Sequence, residues 1–158
     1  LKLFRPIVMG SSVSPQPRPE GGACPCSDAQ EGGASAKARG SGPRPPSRAE
    51  IGRAAWRYVH TMAAEYPESP TPAERTSGLY WLRAFVRLYP CRLCSEEFVA
   101  VCHNLPPSLG SRCDYALWWC EAHNRVRDDL SQPRLRCDVA ELLAAGRAGQ
   151  LYREPSEA

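Results

Sequence analysis

Eight cysteines restrict this chain more than any other feature: Cys24, Cys26, Cys91, Cys94, Cys102, Cys113, Cys120 and Cys137. So many thiols are uncommon in a reducing cytosol unless they bind metal or carry electrons. The even count suits pairing but does not choose between zinc and disulfides. With 158 residues there is room for one ordinary domain and hardly two. A net charge of +3 and 42% hydrophobic content require neither nucleic acid nor a lipid surface. No apolar run approaches the roughly 20 residues of a membrane span.

Composition divides the chain near residue 50. Residues 1–49 hold eight prolines, seven glycines and one aromatic residue, Phe4, with seven Lys/Arg against three Asp/Glu. Such a segment cannot bury enough surface to offset its chain entropy, so a disordered arm is expected. Its apolar start, Leu1 to Met9, is too short and too interrupted by Lys2, Arg5 and Pro6 for a signal-peptide core.

Beyond the arm the pattern is helical throughout. Ile51, Ala55, Tyr58 and Met62 recur at spacings of three and four and predict one apolar face, ending near Tyr66-Pro67. Thr71-Pro72 with Glu74 reads as a capping box opening a second helix, which turns Leu79, Leu82, Phe85, Val86 and Tyr89 inward until Pro90. A third helix is expected from Cys91 or Arg92 to about His103. Ser111 should cap a fourth, burying Tyr115, Trp118, Trp119, Ala122, Val126 and Leu130. A short last helix, Val139 to Ala145, is predicted to end at Gly146. The fold class is therefore all-α: a four-helix bundle with a short fifth helix over residues 50–148, and a tail at 149–158.

Cys91-Arg-Leu-Cys94 opens a helix, and positions i and i+3 share a face, so the two sulfurs can bond. Unpaired N–H groups and the positive end of the helix dipole favour a thiolate there, which thiol–disulfide exchange needs. A lone CxxC is equally half of a zinc site. No second CxxC or HxxxH follows, although Cys102-His103 and Cys120 with His123 leave a scattered Cys/His site conceivable. Cys120 and Cys137 have sixteen residues between them, and a bond there would tie the last helix to the fourth. Cys24-Pro-Cys26 in the arm suits a mobile shuttle, since two cysteines one residue apart close only a strained, oxidising ring; the alternative is a pair of incidental cysteines in a disordered tail. About 25 residues of flexible chain reach roughly 25–30 Å. Cys102 and Cys113 pair with each other or remain thiols.

Between Ile51 and about Asp138 the chain resembles the Erv/ALR family of FAD-linked sulfhydryl oxidases. The matching pieces stand in the family's order: Gly52-Arg53-x-x-Trp56, His60-Thr61-x-Ala63-Ala64-x-Tyr66-Pro67, Tyr89-Pro90-Cys91-x-x-Cys94, and Ser111-Arg112. Then come Trp118-x-Cys120, His123-Asn124-x-Val126, Leu130-x-x-Pro133 and Cys137. Arg127 stands where the family has Asn, Gln132 where it has Lys, and no aromatic residue follows Cys137 as far as Gln150.

The resemblance implies a flavoprotein oxidoreductase holding FAD within the bundle. Catalytic Cys94 would be the sulfur next to the flavin, and Cys91 the one that exchanges with the incoming pair. Cys24 and Cys26 would be the shuttle, and Cys120–Cys137 a structural disulfide. Gly52, Arg53, Trp56, His60, Tyr89, His123, Asn124, Val126, Arg127 and Leu130 would contact FAD, with no metal. Electrons would pass from dithiol proteins to oxygen, giving hydrogen peroxide, or to cytochrome c. The implied setting is the mitochondrial intermembrane space, reoxidising a protein-import oxidoreductase, with the secretory pathway as the alternative. A homodimer through the first two helices is implied as well. The competing reading is a non-catalytic helical interaction module stabilised by disulfides or zinc.

Overall fold

A computed structural model describes residues 44–150. Five helices follow in order: α1 (Arg48–Ala64), α2 (Pro72–Arg87), α3 (Arg92–Asn104), α4 (Arg112–Asp129) and α5 (Val139–Arg147). No strand occurs among the described residues.

Local chemistry sets the helix starts. Ser47 and Thr71 each accept the backbone N–H three residues on, while Glu50 and Glu74 reach back to the cap residue, closing two capping boxes. Ser111 and Asp138 cap α4 and α5 in the same way, each accepting a backbone N–H from Asp114 and Glu141 respectively. Each such cap contributes about 1 kcal/mol.

The core is aromatic and centred on α4. Trp119 is fully buried and Tyr115 nearly so, surrounded by Val59, Leu82, Val86 and Ala122. α1 packs on α4 and α5, and α3 joins α4 to α2. α1 and α4 run antiparallel: Trp56 meets His123 near one end, while Tyr66 meets Tyr115 and takes a hydrogen bond from Arg112 Nε at the other.

Three expectations need correcting. The stripe that buries α1 is Val59, His60, Ala63 and Ala64; Tyr58 is 54% exposed, and with Ile51 and Ala55 it lines an outer groove instead. Leu130 lies at the end of α4 and is 62% exposed, because the helix stops before it can turn inward. α5 does not end at Gly146. That glycine lies inside the helix, where a Cβ would stand 2.8 Å from the Ala64 Cβ and 2.8 Å from the His60 carbonyl oxygen. Its carbonyl accepts a hydrogen bond from Thr61 Oγ1 at 3.0 Å, so the missing side chain is what lets α5 lie against α1. The positive φ that closes this helix belongs to Gly149, at 63°.

The short fifth helix is thus part of the bundle, and the second disulfide holds it there. Cys120, with no exposure, is bonded to Cys137, just before α5. Asn124 reinforces the tie: its Nδ2 donates to the Leu135 carbonyl at 3.0 Å, and its Oδ1 accepts from the Leu135 N–H at 2.7 Å.

Candidate redox and cofactor site

Pro90 ends the run of α2, and Cys91 then takes an extended conformation (φ −117°, ψ 103°) as the N-cap of α3. Its sulfur accepts the Cys94 N–H at 3.3 Å and is bonded to the Cys94 sulfur. No acidic residue occupies the first turn of α3 to cancel the positive end of the helix. Ser95 Oγ donates to the Val86 carbonyl at 2.7 Å, which fixes the start of α3 against the last turn of α2. Both cysteines are half-buried. A disulfide spanning one helical turn constrains nothing outside that turn, so it can open without loosening the bundle.

Phe98 lies four residues after Cys94, one helical turn or about 6 Å along α3. Its ring stacks on Trp119 at 5.9 Å and meets the edge of Trp56 at 5.9 Å. Trp56 in turn stacks on His123, with ring centroids 3.9 Å apart and 12° between the planes, and His60 is tilted against both. The dithiol pair thus sits one turn above an aromatic–imidazole cluster.

Both histidines are buried and neutral at ordinary pH. Burial pulls His60 down to about 4. Burial, then the nearby His60 and the Arg127 charge, pulls His123 to about 3. Arg53 is one turn from Trp56, and Arg127 one turn from His123. Because α1 and α4 are antiparallel, both arginines fall at the same end of the pair. Gly52 lies on this stripe too, and a Cβ there would have no neighbour within 4 Å.

Of the ten residues implied to contact FAD, Trp56, His60 and His123 are brought into one cluster. Gly52, Arg53, Val126 and Arg127 continue the same two helix faces. The other three are placed differently. Tyr89 is half-buried and lines a groove of about 640 Å³ between α1 and α2, bordered by Trp81, Phe85 and Pro90. Asn124 is committed to the Leu135 backbone, and Leu130 points to solvent. Arg127 Nε donates to the Pro133 carbonyl, so its guanidinium also braces the segment after α4. Phe98 and Ser95 were not among the expected site residues. Their signal was available in their spacing, since both lie within one turn of Cys94.

Cys102 is buried, its thiol pushed up to about 12 by desolvation, while Cys113 is exposed. The two are not bonded to each other. With His103 exposed on α3, these side chains do not converge, and no metal-holding group occurs among the described residues. Cys24, Cys26 and most of the arm lie outside the described residues, as does the tail from residue 151.

The donor set suits a flat aromatic cofactor with an anionic tail. Aromatic faces and uncharged imidazoles line one end, open space remains at Gly52, and two arginines stand at the other.

An all-helical bundle with a dithiol pair at a helix start, beside such a cluster, defines a class of thiol-redox scaffold. The chain belongs to the Erv1 / Alr family, whose model matches residues 53–145. It is 39% identical over 88 residues to the FAD-linked sulfhydryl oxidase ERV2 of Saccharomyces cerevisiae, covering 56% of this chain and 45% of that protein. It is likewise 39% identical over 100 residues to the mitochondrial FAD-linked sulfhydryl oxidase erv1 of Schizosaccharomyces pombe, covering 61% and 54%. The chain spans about half the length of the curated relatives it matches. Among solved structures, the FAD binding domain of Erv1 from Saccharomyces cerevisiae superposes with a TM-score of 0.61 at 30% identity, covering 66% of this chain and 97% of that one. The yeast Erv1 core gives 0.62 at 27% identity, covering 79% and 100%.

Proposed function

We propose that this protein is an FAD-dependent sulfhydryl oxidase that makes disulfides in protein substrates through the Cys91–Cys94 pair. The observation that carries the reading is the position of that disulfide, one helical turn from Phe98, whose ring meets Trp56 of the Trp56–His123 stack. The relatives named FAD-linked sulfhydryl oxidases support it.

A donor dithiol exchanges with Cys91, and Cys94 is released as a thiolate at the N-terminal end of α3, where backbone N–H groups and the helix dipole stabilise it. FAD, when bound, supplies a two-electron acceptor that passes electrons to oxygen, giving hydrogen peroxide, or to cytochrome c. Trp56, His60 and His123 would pack against its flat ring, and Gly52 leaves room for it. Arg53 and Arg127 would face its pyrophosphate. The neutral histidines keep positive charge away from the thiolate, leaving its reactivity to the helix start. Cys120–Cys137 has no part in the chemistry and holds α5 to α4.

Residues 50–148 form the oxidase domain in this reading. Residues 1–49 are an arm whose Cys24 and Cys26 relay electrons from protein donors to Cys91, and residues 149–158 are a tail. The setting is the mitochondrial intermembrane space, in keeping with relatives named mitochondrial, and the donor is an import oxidoreductase. The secretory pathway is the alternative address. No helix among the described residues is long and apolar enough to cross a membrane. A second copy would pair through α1 and α2, where Tyr58 and the apolar groove lie outward.

The test is a visible spectrum of the purified protein with dithiol turnover measured beside it. A yellow protein that consumes oxygen with dithiothreitol supports the oxidase. A colourless protein with stoichiometric zinc would point to the interaction module.

A further inference from the structure

Two kinds of tie hold the first turn of α3. The Cys91–Cys94 bond closes the turn on itself, with the Cys94 N–H donating to the Cys91 sulfur and the Ser95 N–H to the Cys91 carbonyl at 3.0 Å. The second tie reaches another helix. The half-buried Ser95 hydroxyl donates to the Val86 carbonyl at 2.7 Å, across a separation of nine residues that contains both redox cysteines. Val86 belongs to the core, so the acceptor is fixed. Among the described residues, no other side chain of this turn hydrogen-bonds to a neighbouring helix. Arg92 is bonded to Glu96 within α3, and Leu93 is exposed. The next inward anchor is Phe98, a full turn beyond Cys94.

Opening the disulfide removes one of the two ties. A helix start is where a chain frays, because its first four N–H groups have no acceptor within the helix. Those same groups favour a thiolate at Cys94. A frayed turn would therefore lose its hold on the sulfur at the stage of the cycle that needs it. Resting on the oxidase reading, we propose that Ser95 is a positioning residue: it keeps the first turn of α3 formed while the Cys91–Cys94 bond is open. The Cys94 thiolate then keeps its N–H donors and stays on the face of α3 that it shares with Phe98. The effect travels through the backbone, since Ser95 is fixed on Val86 and the Cys94 N–H is one peptide away. While the disulfide is closed the hydroxyl matters little, because the bond holds the turn by itself.

The test compares two backgrounds of the full-length chain as purified. In the closed one the Cys91–Cys94 bond is intact. In the open one Cys91→Ser leaves Cys94 free and keeps a capping side chain, while Cys24→Ser, Cys26→Ser and Cys113→Ser remove other thiols; Cys102 is buried. Ser95→Ala should change amide hydrogen exchange at Cys94 and Ser95 less than about twofold in the closed background and quicken it roughly five- to tenfold in the open one. Alkylation of Cys94 by iodoacetamide, followed against pH in the open background, should have its midpoint raised by roughly half to one pH unit. The charges around the turn, Arg87 on α2 and Arg92, Glu96 and Glu97 on α3, are the same in both proteins, so the shift reads the shape of the turn. Ser95→Thr, which keeps the hydroxyl, should restore both readouts. An unshifted midpoint, exchange that quickens equally in both backgrounds, or a threonine variant that behaves like alanine overturns the proposal. Neither readout needs flavin. If both shifts appear but the unmutated protein binds no flavin and oxidises no dithiol, the oxidase reading fails and the role of Ser95 in holding the turn stands. If the oxidase is active and the shifts are absent, only the role of Ser95 fails.

Discussion

The two disulfides of this bundle restrain very different lengths of chain. Cys91–Cys94 closes three residues at the start of α3, with both sulfurs half-buried and a backbone N–H on one of them. Cys120–Cys137 closes a separation of 17 residues, anchors a fully buried cysteine, and shares its segment with the Asn124–Leu135 hydrogen bonds. Opening the first releases no tertiary contact; opening the second frees the segment that carries α5. What decides whether a disulfide is an electron carrier or a brace is the length of chain it restrains and the access to its sulfurs.

The sharpest way to break this comparison is to remove one partner from each bond. Cys94→Ser should lower dithiol turnover by at least roughly 10³-fold, as loss of an essential nucleophile does, and leave the urea midpoint nearly unchanged. The double change Cys120→Ser and Cys137→Ser should do the reverse. It should cost roughly 3 kcal/mol, or about 10–20 °C in Tm for a domain of this size, while turnover below the new Tm persists. A large Tm loss from Cys94→Ser would blur the distinction.

Asn124→Ala sharpens the same point at about 2 kcal/mol, because both Leu135 backbone groups lose their partner. Calorimetry should register the loss, and it should shrink when Cys120 and Cys137 are also replaced, since both ties hold one segment. Turnover at low temperature, measured alongside, separates this bracing role from direct contact with the cofactor.

A separate, pH-dependent effect concerns the two neutral histidines. Their native pKa values, about 4 for His60 and about 3 for His123, lie below the unfolded value near 6.5. The unfolded chain therefore binds the extra protons first as pH falls. Stability is full above about pH 6.5 and is lost on acidification down to about 4 and then 3, by roughly 1.4 kcal/mol per pH unit for each histidine. Urea midpoints between pH 7 and 4.5 should follow the summed slope, and His60→Phe should roughly halve it. A rising midpoint on acidification would contradict neutral burial.

Local signals carried much of this structure in the sequence. Thr71-Pro72 with Glu74, and Ser111 before α4, announce helix starts because a cap is decided within four residues. The choice of inward face was less legible. α1 carries two apolar stripes, one through Ile51, Ala55 and Tyr58 and the other through Trp56, Val59 and Ala63. Periodicity alone cannot say which one α4 covers. Gly146 reads as a stop signal because glycine commonly follows a helix end, whereas its use here is close approach to His60 and Ala64 on α1, at the far end of the domain's sequence. The resemblance assigns Asn124 and Arg127 a different expectation, contact with a cofactor. Their bonds to Leu135 and Pro133 depend on how the chain doubles back after α4, which no short-range pattern encodes.

In the proposed reaction, electrons pass from the Cys91–Cys94 pair into a bound flavin. The most direct measurement is anaerobic reduction of the purified holoprotein by a dithiol, followed by the flavin's visible absorbance. The intact chain should bleach rapidly, with two electrons taken up per flavin, and Cys94→Ser should stay yellow. Equal bleaching of both proteins, or a preparation that binds no flavin under any loading condition, would contradict it.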